Sequence, residues 1–301
     1  MRHGFLLIDK PDGFTSHDAV AVVRRTLPER AIGHLGTLDP AATGLLVMAV
    51  GKKALKVVQL FMDLTKEYEA DVKFGQISTT YDREGMLQQY DIGMGWAPPE
   101  QGELQCIIKE RFIGKISQVP PSYSAISVGG ERAYRKARRA MNRSPSMRLR
   151  TTGSWQGSIS DLPAREVHIE KCEVLSYAYP DLRFRVVCGS GTYIRSLAHD
   201  LGQVLRCGAY LSGLKRTKVG EWSLENAKAP DAVKWTDVIP LKDVLKHFPR
   251  RELTESDMEE LTYGRNIEAE VEPNTIGWHD DLPVALLVPV SDGTAHARKV
   301  F

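Results

Sequence analysis

Charged and apolar residues alternate without a fault from Glu67 through Phe74 (EYEADVKF), the period-2 signature of a strand with one buried face. Tyr68 falls on that face with Ala70, Val72 and Phe74. Leu182, Phe184 and Val186 repeat the pattern more weakly, and Gly189-Ser190-Gly191 closes that second strand. Phe5 to Ile8 and Leu45 to Val50 are instead unbroken apolar runs, which predict short strands buried on both faces. Helical spacing occurs in three places. Val20, Val23 and Leu27 follow a Thr15–Asp18 capping box and stop at Pro28. Leu55, Val58 and Met62 mark one face of a second helix, and Leu197, Leu201 and Leu205 stack in a third, from Tyr193 to about Leu205. Residues 31–44 carry three glycines and a proline and read as loop.

Strands and helices do not alternate as regular βαβ units. The pattern therefore predicts an α+β fold, with a mixed, largely antiparallel sheet and flanking helices. Short strand-like runs such as residues 285–288 add a small β-rich module at the C-terminus, giving domains of 1–245 and 246–301.

Composition narrows the class. The 301 residues are 42% hydrophobic and 26% charged, which excludes a disordered or collagen-like chain. The four cysteines (Cys106, Cys172, Cys188, Cys207) include no CxxC pair, so a zinc ribbon or thioredoxin-like site is unsupported and a reducing cytoplasm fits. The longest apolar run falls far short of the ~20 residues that cross a bilayer, so no membrane partner is expected. The net charge of +2 hides an asymmetry: residues 131–150 hold eight Lys/Arg against one Glu, while residues 250–301 hold 11 acidic residues against five basic. A basic block containing Tyr134 suits a polyanion such as RNA, and equally a solvated helix face.

Candidate chemistry concentrates in the glycine loop. It lacks the spacing of a phosphate-binding P-loop, and Gly33-His34-Leu35-Gly36 is a lone GxxG. Asp39, followed by Pro40, reads from composition either as a turn residue or as an acid placed for chemistry.

The longer stretch GHLGTLDPAATGLLVMAVGKKA resembles the aspartate-bearing motif of the TruB family of pseudouridine synthases. Other segments resemble that family's motifs in the same order: IDKPDGFTSHDAV (8–20), KEYEADVKFGQISTTYDREG (66–85), PPSYSAISVGGERAYRKAR (120–138), GSGTYIRSLAHDLG (189–202) and LSGLKRTKVG (211–220). Residues 143–164 look longer than the family's loop there. The acidic 246–301 segment resembles the family's small RNA-binding, PUA-like appendage only loosely.

The resemblance implies an intramolecular isomerase that turns a uridine in the T-loop of tRNA (position 55) into pseudouridine. The C1′–N1 bond breaks, the uracil rotates, and C5 bonds to C1′ with loss of a proton, a sequence that needs no metal and no cofactor. Asp39 is then the catalytic carboxylate, either adding to C1′ or abstracting a proton to give a glycal, and Arg195 pairs with it. Tyr68 stacks on the uracil and helps remove the C5 proton, while Tyr193 and Leu214 line the pocket. His34 fills the gap that the flipped nucleotide leaves in its stack. Lys10 and Pro11 buttress the site, and Asp82 hydrogen-bonds locally. Arg135, Lys136, Arg138 and Arg139 grip RNA phosphates from the basic block. The implied partner is the T-arm of tRNA, met without guide RNA by a monomer in the cytoplasm. Two other functions stay open: a guide-RNA-dependent homologue, and a tRNA-folding chaperone whose binding outweighs its catalysis. A hydrolase with an aspartate nucleophile lacks any partnered His/Asp arrangement to activate water.

Overall fold

The computed structural model describes residues 3–121, 127–128, 131–132, 163–290 and 293–301. Arg135, Lys136, Arg138 and Arg139 lie outside the described residues, as do residues 143–162 of the segment 143–164. Two compact units result: Met1–Leu64 with Arg216–Phe301, and Thr65–Lys215.

In the first unit the strand Gly4–Lys10 pairs antiparallel with Ala42–Val50, with Leu6 opposite Met48 and Ile8 opposite Leu46. Both strands are buried on both faces nearly throughout, as unbroken apolar runs require. Thr15 caps the helix Ser16–Thr26 by the expected box: its Oγ1 accepts from the Asp18 N–H at 3.1 Å, and its own N–H donates to Asp18 Oδ2 at 2.9 Å.

Two local expectations fail in this unit. Residues 31–44 are not continuous loop, because Ile32–Leu35 is a strand paired from Ile32↔Val50 to Leu35↔Val47. Its two buried positions, Ile32 and Leu35, fall on opposite faces of a strand only four residues long, so no period was visible. The second helix, Lys52–Val57, buries Ala54 and Val57, and a 3-10 turn through Phe61 extends that face. Leu55 and Met62 are exposed instead. The tighter turn brings Phe61 onto Phe5 at 4.8 Å and Trp222 at 5.5 Å, a larger apolar contact than Met62 could make.

Residues 246–301 build a five-stranded sheet in the order Arg250–Glu252, Thr275–His279, Leu282–Pro289, Thr294–Val300, Ile267–Glu268. One side of this module has its own cluster around Leu253, Leu261 and Leu287. On the other, Ile276, Trp278 and Leu286 share a core with Phe5, Val47, Phe61 and Leu241.

In the second unit the strand Lys66–Phe74 pairs antiparallel with Asp181–Cys188, which pairs with Arg165–Ala178, which in turn pairs with Gly114–Gln118. Ala70, Val72 and Phe74 are buried with Leu182, Phe184 and Val186, alternating as their sequence does. The helices Gln101–Phe112 and Ile194–Val204 pack onto this core through Leu104, Ile108, Leu197 and Leu201. The strand Ala209–Val219 begins in this unit and ends in the first. The architecture is the α+β class that the pattern predicts: antiparallel strand pairs, flanking helices and a β-rich C-terminal module.

Candidate active site

Asp39 lies in the loop joining Ile32–Leu35 to Ala42–Val50, and the backbone on both sides of it is held. Ser16, at the start of its helix, uses one hydroxyl twice. Its Oγ accepts from the Leu38 N–H at 2.9 Å and donates to the Leu38 C=O at 3.0 Å. The Pro40 C=O accepts from the Gly13 N–H at 3.1 Å and from Lys10 Nζ at 3.2 Å. The Ala42 N–H closes the turn on the Asp39 C=O at 3.1 Å. Lys10 is fully buried and also donates to the carbonyls of Pro11 at 2.9 Å and Phe14 at 2.5 Å, so carbonyl dipoles stand in for its hydration. Its amine thus joins the turn of Pro11–Phe14 to the aspartate loop at Pro40, while Pro11 itself is exposed.

Glycines bracket the same loop. Gly36 and Gly44 have φ of +82° and +94°, the left-handed region that glycine enters without strain. A Cβ on Gly44 would come within 2.4 Å of the Arg216 carbonyl oxygen. The buried Arg216 guanidinium donates from Nε to the Leu45 C=O at 2.7 Å and from Nη2 to the Gly36 C=O at 3.1 Å. Ser16 and Arg216 were not singled out from sequence, although both sit inside motif-like segments, SHDAV and GLKRTKV.

His34, half-buried on the strand Ile32–Leu35 that leads into this loop, meets the exposed His17 ring edge-on at 5.6 Å. Burial first, then the charges of His17 and Arg216, hold its imidazole below the ordinary range. A neutral, planar ring at neutral pH is suited to stacking on a nucleobase.

In the second unit Tyr68 and Leu214 both border the main core, each half-buried. The amide of Gln118 clamps the Tyr193 backbone: its Oε1 accepts from the Tyr193 N–H at 2.8 Å and its Nε2 donates to the Tyr193 C=O at 3.0 Å. That clamp fixes the start of the helix Ile194–Val204 and hence Arg195, which is buried. Arg195 Nη1 pairs with Asp82 Oδ2 at 3.4 Å and donates to the Thr80 C=O at the same distance. Asp82 Oδ1 accepts from Thr80 Oγ1 at 2.5 Å and from the Glu84 N–H at 3.0 Å. Gly85 closes this turn because a Cβ there would lie 2.3 Å from Ser78 Oγ.

Sequence reasoning also missed Tyr81. Its φ of +65° is rare for a bulky residue, and its ring stacks on His199 at 3.9 Å with 14° between planes. Burial pushes the Tyr81 hydroxyl up to about 12, with the Asp200 charge adding to it. Burial also pushes His199 down to about 4 and Asp200 up to about 6. The structure thus gathers Lys10, His34 and Asp39 around one loop of the first unit, and Tyr193, Arg195 and Asp82 in one network of the second.

Solved structures share the fold. A crystal structure of a Cbf5-Nop10-Gar1 complex, and an H/ACA RNP bound to a substrate RNA containing 2'-deoxyuridine, each superpose with a TM-score of 0.66 at 24% identity. Each match covers 99% of this chain and 84% of the other. The model of the TruB family pseudouridylate synthase N-terminal domain matches residues 24–194, and that of the tRNA pseudouridylate synthase B C-terminal domain matches 195–255. The class is therefore that of the pseudouridylate synthases, enzymes that isomerise uridine. Relatives named tRNA pseudouridine synthase B agree: one from Thermobifida fusca (strain YX) is 38% identical over 100% of this chain and 99% of its own, and one from Xylella fastidiosa is 39% identical over 83% and 78%. The chain belongs to the TruB family of pseudouridine synthases.

Proposed function

We propose that this enzyme converts the T-loop uridine of tRNA, position 55, to pseudouridine without a guide RNA, with Asp39 as its catalytic carboxylate. The observation that carries the reading is the Asp39 loop. Bond breaking at C1′ needs one carboxylate held in one place, and hydrogen bonds fix the backbone at Leu38, Asp39 and Pro40. The names of the relatives at 38–39% identity favour tRNA as the substrate. Asp39 either adds to C1′ or takes a proton to give a glycal, and both routes keep the uracil beside the sugar for rebonding through C5.

The remaining assignments rest on the motifs. Tyr68 stacks on the uracil and assists loss of the C5 proton. Tyr193 and Leu214 line the base pocket, and His34 occupies the gap left by the flipped nucleotide. Arg195 is the cationic partner of Asp39, and the Arg135, Lys136, Arg138, Arg139 block grips the T-arm phosphates. The test is incubation with an unmodified tRNA transcript, followed by carbodiimide mapping of pseudouridine by primer extension. Product at the T-loop uridine with protein alone is the expected result. Product only after addition of a guide RNA would select the guide-dependent reading instead.

A further inference from the structure

We infer that Arg216 is a positioning residue for the Asp39 loop, an inference that rests on Asp39 being the catalytic carboxylate. Arg216 is 1% exposed. A side chain there only to fill space would be apolar, since burying a guanidinium forfeits its hydration. Its described hydrogen bonds go to two backbone carbonyls, those of Gly36 and Leu45. These are the two ends of the segment that carries Asp39.

The guanidinium is a rigid planar fork, so Nε and Nη2 fix the separation of the two carbonyls they hold. The backbone of Arg216 adds a third constraint, because it lies so close to Gly44 that no side chain fits between them. One residue therefore ties the loop at both ends, through its side chain and through its main chain. Its charge also reaches the loop, since it contributes to the lowered proton affinity of His34. Ser16 and Lys10 hold the middle of the loop at Leu38 and Pro40. Without the fork, Gly36 can move relative to Leu45, and the carboxylate loses its aim at C1′.

Lysine at this position keeps the charge but offers one compact head in place of two fixed N–H groups. Arg216→Lys should therefore lower kcat by about tenfold or more, while KM and tRNA affinity stay within about threefold. The assay uses the full-length chain and unmodified tRNA transcript, well below the melting midpoint of the variant. Wild-type kcat in Arg216→Lys would overturn the inference. So would a loss of tRNA affinity that matches the loss of kcat, because it would assign Arg216 to RNA grip or folding.

If the variant does not fold, hydrogen exchange on the unsubstituted protein decides the matter. The Arg216 Nε–H, which donates to the Leu45 C=O, should exchange far more slowly than that of an exposed arginine, and exchange like an exposed arginine's would overturn the inference. Asp39→Asn, run alongside, separates the two claims. An active Asp39→Asn removes the carboxylate reading itself, whereas an inactive one beside a fully active Arg216→Lys removes only the role of Arg216.

Discussion

Tyr68 is a half-buried ring at the edge of a core strand, with Ala70, Val72 and Phe74 below it on the same face. That placement serves equally as a packing ring and as the floor of a base pocket, so position alone does not separate the two. The hydroxyl does. Tyr68→Phe keeps the stacking surface and removes the group that can handle the C5 proton. tRNA affinity should stay within about threefold while turnover falls by at least about tenfold. Full activity in Tyr68→Phe, measured by single-turnover assay, would reduce the residue to a platform. The residues that were legible one at a time are those whose chemistry is local, such as the Thr15–Asp18 cap. Ser16, Gln118 and Arg216 were not, because each acts on a backbone group far away in sequence: Arg216 reaches Leu45 across 171 positions and Gly36 across 180.

Among the elements, periodicity succeeded where side chains were large and regular, as in Lys66–Phe74 and Ile194–Val204. It failed at Ile32–Leu35, a four-residue strand buried at both ends rather than alternately, and at Lys52–Val57, where the 3-10 turn shifted the buried face. The helix Ile194–Val204 also carries a titratable cost. Asp200 is raised to about 6 by burial. An unfolded aspartate releases its proton near ~3.9, so between about pH 4 and pH 6 the unfolded state ionises first and stability falls as pH rises. Asp200→Asn removes that cost. The variant should be more stable than its parent above pH 6 by up to about 2–3 kcal/mol, and this advantage should vanish below pH 4. His199 is common to both chains, so its own titration largely cancels in the difference. Melting curves at pH 4 and pH 7.5 check this, and an unchanged difference across that range would contradict the assignment.

For the whole molecule, the C-terminal module was visible as a β-rich stretch, but its packing was not, since nothing in a local window reports a shared core. Ile276, Trp278 and Leu286 lie in one cluster with Phe5, Val47 and Phe61. Burying a large apolar side chain is worth about 1.5–3 kcal/mol. A chain ending at residue 245 should therefore lose on the order of 5 kcal/mol, a large share of the ~5–15 kcal/mol typical of a folded protein. Calorimetry that found the truncated chain melting like the full one would show a separable module.

The proposed role of the basic block belongs to the same scale, because a grip on phosphates would act through summed charge. Replacing Arg135, Lys136, Arg138 and Arg139 with Ala should weaken tRNA binding and flatten its salt dependence, by up to ~0.7–0.9 of slope for each phosphate no longer neutralised. Turnover at saturating tRNA should hold. An unchanged slope would mean that these side chains point away from the RNA.

The central claim is that one carboxylate carries the isomerisation, and tritium release from tRNA labelled at uridine C5 reads it most directly, because C5 must lose its hydrogen when it bonds to C1′. With Asp39→Asn, release at saturating tRNA should fall to background, while tRNA affinity by filter binding stays within about tenfold, since many phosphate and stacking interactions remain. Release within about tenfold of the unsubstituted enzyme would contradict the claim and take Asp39 out of the chemistry.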